Sequence, residues 1–168
     1  MLPIYKTSKM LYKATLDGFA SKSFYEKCDG KTNTVTIIKN NLDYVFGGFT
    51  SKAWTMLKNE LKYDPHAFIF SVKRKGTANN EKFNVKDSQH IVSQHNLYGL
   101  SFGKDIQIID ESNNKHGSYS NFGDHYELPQ GYTKGEDNTS DYLAGTLNKW
   151  LTTEIEVYQL LEIDENNY

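Results

Sequence analysis

The hydrophobic residues of this chain come in short runs, and this feature restricts the fold more than any other. The longest apolar run, Ala67–Phe70, has four residues, whereas a helix that crosses a bilayer needs about 20. The runs are rich in β-branched and aromatic residues, and 14% of all residues are aromatic. Such residues favour pleated, half-buried strands. The pattern therefore predicts a mainly β domain that does not insert into a membrane.

Several segments have the composition and alternation that are typical of strands. They are Thr34–Lys39, Tyr44–Phe46, Ala67–Val72, Lys82–Val85, Ile106–Ile109 and Glu154–Leu161. The first two predict a hairpin that ends at the pair Gly47 and Gly48, and the run IQII at Ile106 predicts a strand buried on both faces. In the last segment Glu154 and Glu156 alternate with apolar residues, which predicts a strand with one solvated face at its start.

Helices are predicted at two places, Ser21–Cys28 and Ser51–Leu61. Each begins with a serine that can serve as an N-cap, and the second carries Trp54 in an apolar stripe that is typical of core packing. Residues 112–141 are dominated by Ser, Asn, Gly, Asp and Tyr, which predicts ordered loops or short edge strands. Together these patterns predict an α+β fold, a two-sheet antiparallel β-sandwich with flanking helices, in one domain over residues 1–168.

Charge is distributed unevenly along the chain. Residues 1–104 carry 16 Lys and Arg against 8 Asp and Glu, whereas residues 105–168 carry 3 against 13. Two arrangements are compatible with these counts: separate basic and acidic faces that would orient a charged partner, or interleaving of the two halves in one sheet. The short basic run Lys73–Lys75 predicts a solvated hairpin turn, and we expect no nucleic-acid binding.

The single cysteine, Cys28, excludes an internal disulfide and suits a reducing compartment. The first residues lack the apolar core of a secretion signal. We therefore expect a cytoplasmic protein; the alternatives are the nucleus and the periphery of organelle membranes, reached through a partner. We also expect the protein to be a monomer.

Motifs for cofactors and metals are missing from the sequence. There is no P-loop, and His90 and His95 are five residues apart, which places them on opposite faces of a strand. The segment that begins at Asp110 has oxygen side chains at the first, third and fifth positions of a calcium loop, but Lys115 stands where that loop needs glycine. We expect neither a cofactor nor a metal ion.

An enzyme remains the alternative interpretation. Ser118 or Ser120 could form a hydrolase triad with His125 and Glu127, although no nucleophile elbow surrounds either serine. Cys28 could handle peroxide if its thiol were accessible and its pKa lowered. A buried, inert thiol is the competing interpretation.

Motifs spread over nearly the whole chain resemble those of the TLDc domain, a module shared by eukaryotic oxidation-resistance proteins and several regulators of membrane traffic. The matching segments, in the family's order, are LYKATLDGF (Leu11–Phe19), FYEKCDGKTNTVTIIK (Phe24–Lys39, in a form common among protist members), YVFGGFTSKAW (Tyr44–Trp54), DPHAFIFSV (Asp64–Val72), YGLSFGKDIQIID (Tyr98–Asp110), SYSNFGDHYELP (Ser118–Pro129), YLAGT and EIEVYQL.

The sequence departs from the family pattern in its loops. Leu100 stands where many members have proline, Lys104 replaces a glycine, and the loop Gln130–Tyr142 is longer than usual. Residues 1–10 are expected to be an N-terminal extension that is short compared with the family.

The resemblance implies a non-catalytic, regulatory domain that binds other proteins. Members are associated with resistance to oxidative stress, and several bind the vacuolar proton-pumping ATPase (V-ATPase) and influence its assembly, so V-ATPase subunits are the expected partner. Two sets of residues match the family motifs. The expected partner contacts are Asp17, Glu154 and Glu156, and the expected structural glycines are Gly18, Gly47, Gly48 and Gly103. The alternatives for the acidic residues are an Asx turn at Asp17 and solvated strand glutamates.

Overall fold

The computed structural model describes residues 7–56, 60–86, 92–94 and 98–162, and short strands dominate them. In chain order the elements are β1 (Thr7–Lys13), α1 (Ala14–Asp17), α2 (Ser21–Cys28), β2 (Thr34–Asn40), β3 (Val45–Thr50), β4 (Glu60–Lys62), β5 (Phe68–Arg74), β6 (Thr77–Asn84), β7 (Val92–Gln94), β8 (Tyr98–Phe102), β9 (Ile106–Ile109), α3 (Asp137–Ser140) and β10 (Thr152–Leu161). The predicted mainly β fold with few helices is confirmed.

The strands form an antiparallel sandwich with layers of unequal size. Within the described residues, one sheet has six strands in the order β1-β10-β2-β3-β5-β6, and two further sheets, β4-β7 and β8-β9, have two strands each. The β8-β9 hairpin packs on the large sheet, where the ring of Phe102 lies against Gly48 of β3. The predicted sandwich is thus present, with a small second layer.

The topology also decides how the two charged halves of the chain are arranged. Strand β10 comes from the acidic half, and it pairs with β1 on one side and with β2 on the other, both from the basic half. Acidic and basic strands therefore lie side by side in the large sheet. The interleaved arrangement is the one that forms.

Aromatic side chains fill the core between the layers. Trp54 is fully buried and meets Phe24 and Phe102 edge to face, with ring centroids 5.2 and 5.8 Å apart. Its indole nitrogen donates a hydrogen bond of 2.8 Å to the Thr34 hydroxyl, so the polar end of the ring is satisfied inside the core. The prediction that Trp54 packs in the core is confirmed.

The prediction of a helix at Ser51–Leu61 is wrong. Residues 51–56 are irregular, residues 57–59 lie outside the described part, and β4 begins at Glu60. The carboxylate of Asp64 accepts hydrogen bonds from the Thr50 hydroxyl (2.7 Å) and from both the backbone amide and the hydroxyl of Ser51 (2.6 and 2.8 Å). The serine expected to cap a helix is thus held by a fully buried carboxylate instead.

Helix α2 has the predicted bounds but a different cap. Ser21 is its first helical residue, so the N-cap position falls on Ala20, which makes no side-chain capping hydrogen bond. The Ser21 amide instead donates to the carboxylate of Asp110, at 2.8 Å. A residue 89 positions away thus completes the start of this helix.

The predictions for β3 and β6 need correction at their ends, and the prediction for β9 needs correction in its burial. Strand β3 continues through Gly47 and Gly48 instead of ending there. Strand β6 begins at Thr77, so the turn before it is shorter than expected. Strand β9 is buried on one face and half-buried on the other, because it belongs to the thin layer and only one of its faces meets the core.

The loop-rich segment consists mainly of turns and loops, as its composition predicted, and it also contains the short helix α3, which was not predicted. His90 and His95 lie outside the described residues. In the described part of the chain, no helix has the length and hydrophobicity that crossing a bilayer requires.

Candidate functional site

Strand pairing brings together the acidic residues that the motifs singled out. Lys13 ends β1 and pairs in register with Glu156 of β10. Its ammonium lies 2.8 Å from a carboxylate oxygen of Glu156 and 3.6 Å from one of Glu154, and its backbone amide donates to Asp17 at 2.9 Å. These four residues, which we call the Lys13 cluster, connect the end of α1 with β1 and β10.

Glu154 is the innermost acid of the Lys13 cluster, with 8% of its surface exposed. One of its oxygens accepts hydrogen bonds from the backbone amides of Thr15 and Ile155, both at 3.1 Å, and the other accepts the Thr15 hydroxyl at 2.6 Å. The expectation that the Glu154 side chain is solvated is therefore wrong. A buried charge requires hydrogen-bond partners. Two of the three hydrogen bonds to Glu154 come from Thr15, so they also fix α1.

Glu156 and Asp17 are also engaged by neighbours. The Lys13 ammonium, helped by a 3.0 Å hydrogen bond from the Tyr158 hydroxyl, lowers the pKa of Glu156. The Lys13 amide lowers the pKa of Asp17, and Lys27, whose ammonium lies 3.1 Å away, adds to the effect. Both carboxylates are thereby held ionised. Direct contact with a partner stays a prediction for these residues.

Gly18 closes the α1 turn. Its φ of 97° lies in the region that favours glycine, and its amide donates to the carbonyl of Ala14 at 2.9 Å. Its own carbonyl accepts the Tyr12 hydroxyl at 2.7 Å. The turn is thus tied to β1 and β10 at both ends.

This tethered turn presents Leu16 to solvent. Leu16 is 78% exposed, more than any other large hydrophobic side chain in the described residues. Beside it lies an open groove of about 490 Å³, lined by Ala14, Thr15, Leu16, Gly18, Phe19, Ala20, Glu111, Asn113 and Asn114. Sequence reasoning missed Leu16, because one leucine inside a motif cannot be assigned to core or surface. The available signal was the pair Asp17-Gly18, which is typical of a turn.

The remaining predicted glycines lie at close approaches between elements. A Cβ on Gly48 would lie 2.7 to 2.8 Å from three ring atoms of Phe102. A Cβ on Gly47 would overlap the Thr36 carbonyl oxygen, and Gly103, with a φ of 60°, packs on the ring of His125. These contacts place the three glycines at packing positions, away from the groove.

The geometry of Cys28 opposes the thiol enzyme alternative. Cys28 is fully buried, and burial raises the pKa of its thiol to about 12. Peroxide chemistry requires the thiolate and access to it. Cys28 offers neither.

The hydrolase alternative also lacks its geometry. Ser118 and Ser120 are fully buried, and the Ser118 hydroxyl accepts a hydrogen bond from a backbone amide of β9. His125 lies 3.3 Å from the buried carboxylate of Asp105, an acid that the sequence did not suggest, while Glu127 is exposed.

The calcium-like segment has structural partners of its own. Asp110 caps α2, and Glu111 pairs with Lys115 at 2.7 Å. Across the described residues, no three His, Cys, Asp or Glu side chains are grouped so that they could hold a metal ion.

Comparison with known proteins places this chain in a family. The family model of the TLDc domain matches residues 3–161. A region of 64 residues is 31% identical to MTOR-associated protein MEAK7 of Danio rerio; it covers 38% of this chain and 14% of that protein, so the chain spans a small part of its relative's length. The matched residues 3–161 include every element from β1 to β10. The chain belongs to the TLDc domain family.

Proposed function

We propose that this TLDc domain is a non-catalytic regulatory module that binds another protein through the α1 turn. The observation that carries the proposal is Leu16, which is 78% exposed on a turn fixed by the Lys13 cluster. An exposed leucine on a flexible loop would lose conformational entropy when bound. A leucine on a turn already held by hydrogen bonds loses less, so more of its burial contributes to affinity.

The surroundings of Leu16 fit a small docking surface. The open groove beside it mixes apolar side chains such as Phe19 with the amides of Asn113 and Asn114. Interfaces commonly have an apolar anchor surrounded by polar groups that exclude water. In this proposal Asp17, Glu154 and Glu156 do not contact the partner as anchors; their hydrogen bonds and ion pairs hold the turn in place.

The leading partner is the V-ATPase, through subunits of its cytosolic sector. Family membership supports this choice, since several TLDc proteins bind that pump. The Danio rerio relative is named as an MTOR-associated protein, which supports protein partners in general. A cytoplasmic location follows from the proposal, because the cytosolic sector of the pump faces that compartment.

Oxidative-stress resistance, the other family association, is then proposed to be indirect. The buried thiol of Cys28 supports this, since it is unsuited to peroxide chemistry. The test is peroxide consumption by the purified protein and by Cys28→Ser. Turnover that the substitution abolishes would contradict an indirect role.

Surface-based binding kinetics with the purified cytosolic sector of the V-ATPase test the partner. We expect saturable binding whose on-rate changes little between about 0.1 and 1 M salt, because interleaved charges give weak long-range steering. Absence of binding would discard the V-ATPase as the partner. An on-rate that collapses with salt would discard the apolar anchor as the main contact.

A further inference from the structure

The basic run Lys73–Lys75 spans the end of β5 and the first residue of a tight turn that leads into β6. Strand β5 ends at Arg74 and β6 begins at Thr77, so Lys75 and Gly76 are the two turn residues, with φ of 46° and 81°. Two positive φ values match the type I′ hairpin turn, which favours Asn or Gly at its first central position. Lysine there is strained, and such strain is often found at functional sites.

Arg74, the chain's single arginine, is not solvated as the sequence suggested. Its guanidinium carbon lies 3.7 Å from the ring centroid of Tyr142, a cation–π contact. No carboxylate lies within 4.0 Å of it among the described residues, and its buried Nε has no acceptor there. Stacking therefore fixes the orientation of a guanidinium whose charge no close carboxylate balances.

Nearby acids are occupied by other groups. Asp43 pairs with Lys73 at 2.6 Å, and Glu81 accepts a hydrogen bond from the Tyr142 hydroxyl. The ammonium of Lys73 neutralises Asp43, whereas Glu81 keeps its charge beside the Tyr142 hydroxyl; neither acid forms an ion pair with Arg74. An arginine that is oriented and makes no ion pair can donate its hydrogen bonds to an anion.

A cavity of about 390 Å³ opens beside this guanidinium. Its lining contains two cationic side chains and no carboxylate: Tyr44, Arg74, Lys75, Thr77, Ala78 and Asn79. The hydroxyl and amide groups among them add hydrogen-bond donors to the two positive charges.

We propose that this cavity binds a phosphate monoester group, held by Arg74 and Lys75. An arginine fork can take two oxygens of the group, and the ammonium of Lys75 suits the third. A carboxylate has two oxygens and one charge, and so matches these donors less well. The cavity of about 390 Å³ exceeds the size of one phosphate, so it has room for a phosphate that is part of a larger molecule. The site is on the β5–β6 turn and does not depend on docking through α1.

The test is an NMR titration at constant ionic strength that follows the backbone amides of Gly76 and Thr77. The probes are inorganic phosphate, inositol 1,4,5-trisphosphate, acetate, and phosphatidylcholine vesicles with or without phosphatidylinositol 4,5-bisphosphate. We expect saturable shifts with inorganic phosphate, tighter binding of inositol trisphosphate and little response to acetate. Preference for the soluble headgroup over the vesicles, or the reverse, identifies the source of the phosphate.

Two variants and a control assign the effect to residues. Arg74→Gln should weaken phosphate binding about tenfold or more, whereas Lys39→Gln, which removes an exposed lysine from β2 outside the cavity lining, should not. Lys75→Asn should weaken binding and yet raise the melting temperature by roughly 1–3 °C, because asparagine suits the turn. This opposite pair of effects keeps the test valid if Arg74→Gln does not fold.

Several outcomes would overturn the proposal. They are the absence of saturable shifts with every phosphate probe, equal affinity for acetate and phosphate, and unchanged phosphate binding in Lys75→Asn.

Discussion

The Lys13 cluster and the contact between Gly48 and Phe102 both come from segments that match family motifs, yet they do different physical work. The Lys13 cluster is polar and lies where β1 ends and β10 begins. It fixes a turn that exposes Leu16. The Gly48–Phe102 contact is apolar, fully enclosed, and joins the two layers of the sandwich. A recurring motif can thus maintain either a binding surface or a packed core, and changes at the two places should separate binding from stability.

The largest effect is expected where the layers meet. Gly48→Val should lower the free energy of unfolding by about 3 kcal/mol, because the new side chain would overlap the enclosed ring of Phe102. Urea denaturation measures the change. The smaller Gly48→Ala should cost less, and adding Phe102→Leu should recover part of that loss by making room. Losses that simply add would show that the contact is not what makes glycine necessary.

Glu154→Ala is the corresponding change in the Lys13 cluster, and its expected cost is smaller. It removes the acceptor of two amides and one hydroxyl, which should cost about 2 kcal/mol. It should also weaken partner binding, because the turn loses its support. Urea denaturation and binding kinetics measure the two effects. The matched control is Glu127→Ala, an exposed glutamate outside the cluster, which should change neither quantity. Equal effects of the two substitutions would contradict a supporting role for Glu154.

Glu156 makes the comparison sensitive to pH. Since Lys13 lowers its pKa in the folded state, Glu156 contributes stability above its ordinary pKa of 4.5, and this is lost as the pH falls through the lowered folded value. Glu156→Gln should therefore lose less stability than the wild type on acidification below about pH 4.5, by under about 1 kcal/mol. Urea denaturation at several pH values between about 3 and 7 measures this difference, with the unfolding free energy of each protein at about pH 7 as its reference. Parallel curves for the two proteins would contradict the ion pair.

The sequence predicted the elements that local patterns determine. A β-branched run located β2, a continuous apolar run located β9, and alternation located the start of β10. A predicted two-turn helix that begins at Ser21 located α2. The helix expected at Ser51–Leu61 failed because Asp64, which lies beyond it, takes up the hydrogen-bonding groups of Ser51. Local propensity cannot register a competing partner outside the segment.

The candidate site was predictable only in part. Motifs indicated Asp17, Glu154 and Glu156, but burial of Glu154 depends on Thr15, which is 139 residues away in the sequence. The role that we propose for Leu16 as an anchor likewise depends on those long-range contacts, which fix the turn. Contacts between residues so far apart in the sequence can be recognised only once the pairing of β1 with β10 is known.

The central claim, that the Lys13 cluster holds Leu16 as an anchor, is tested most directly by measuring binding and stability of Leu16→Asp together. Because Leu16 is 78% exposed, we expect a change below about 0.5 kcal/mol in unfolding free energy. Affinity for the V-ATPase cytosolic sector should fall by about tenfold or more, since a charge replaces a buried anchor. Met56→Asp, at a methionine that is 51% exposed outside the groove, is the matched control and should bind normally. Undiminished binding by Leu16→Asp, with the fold intact, would contradict the claim.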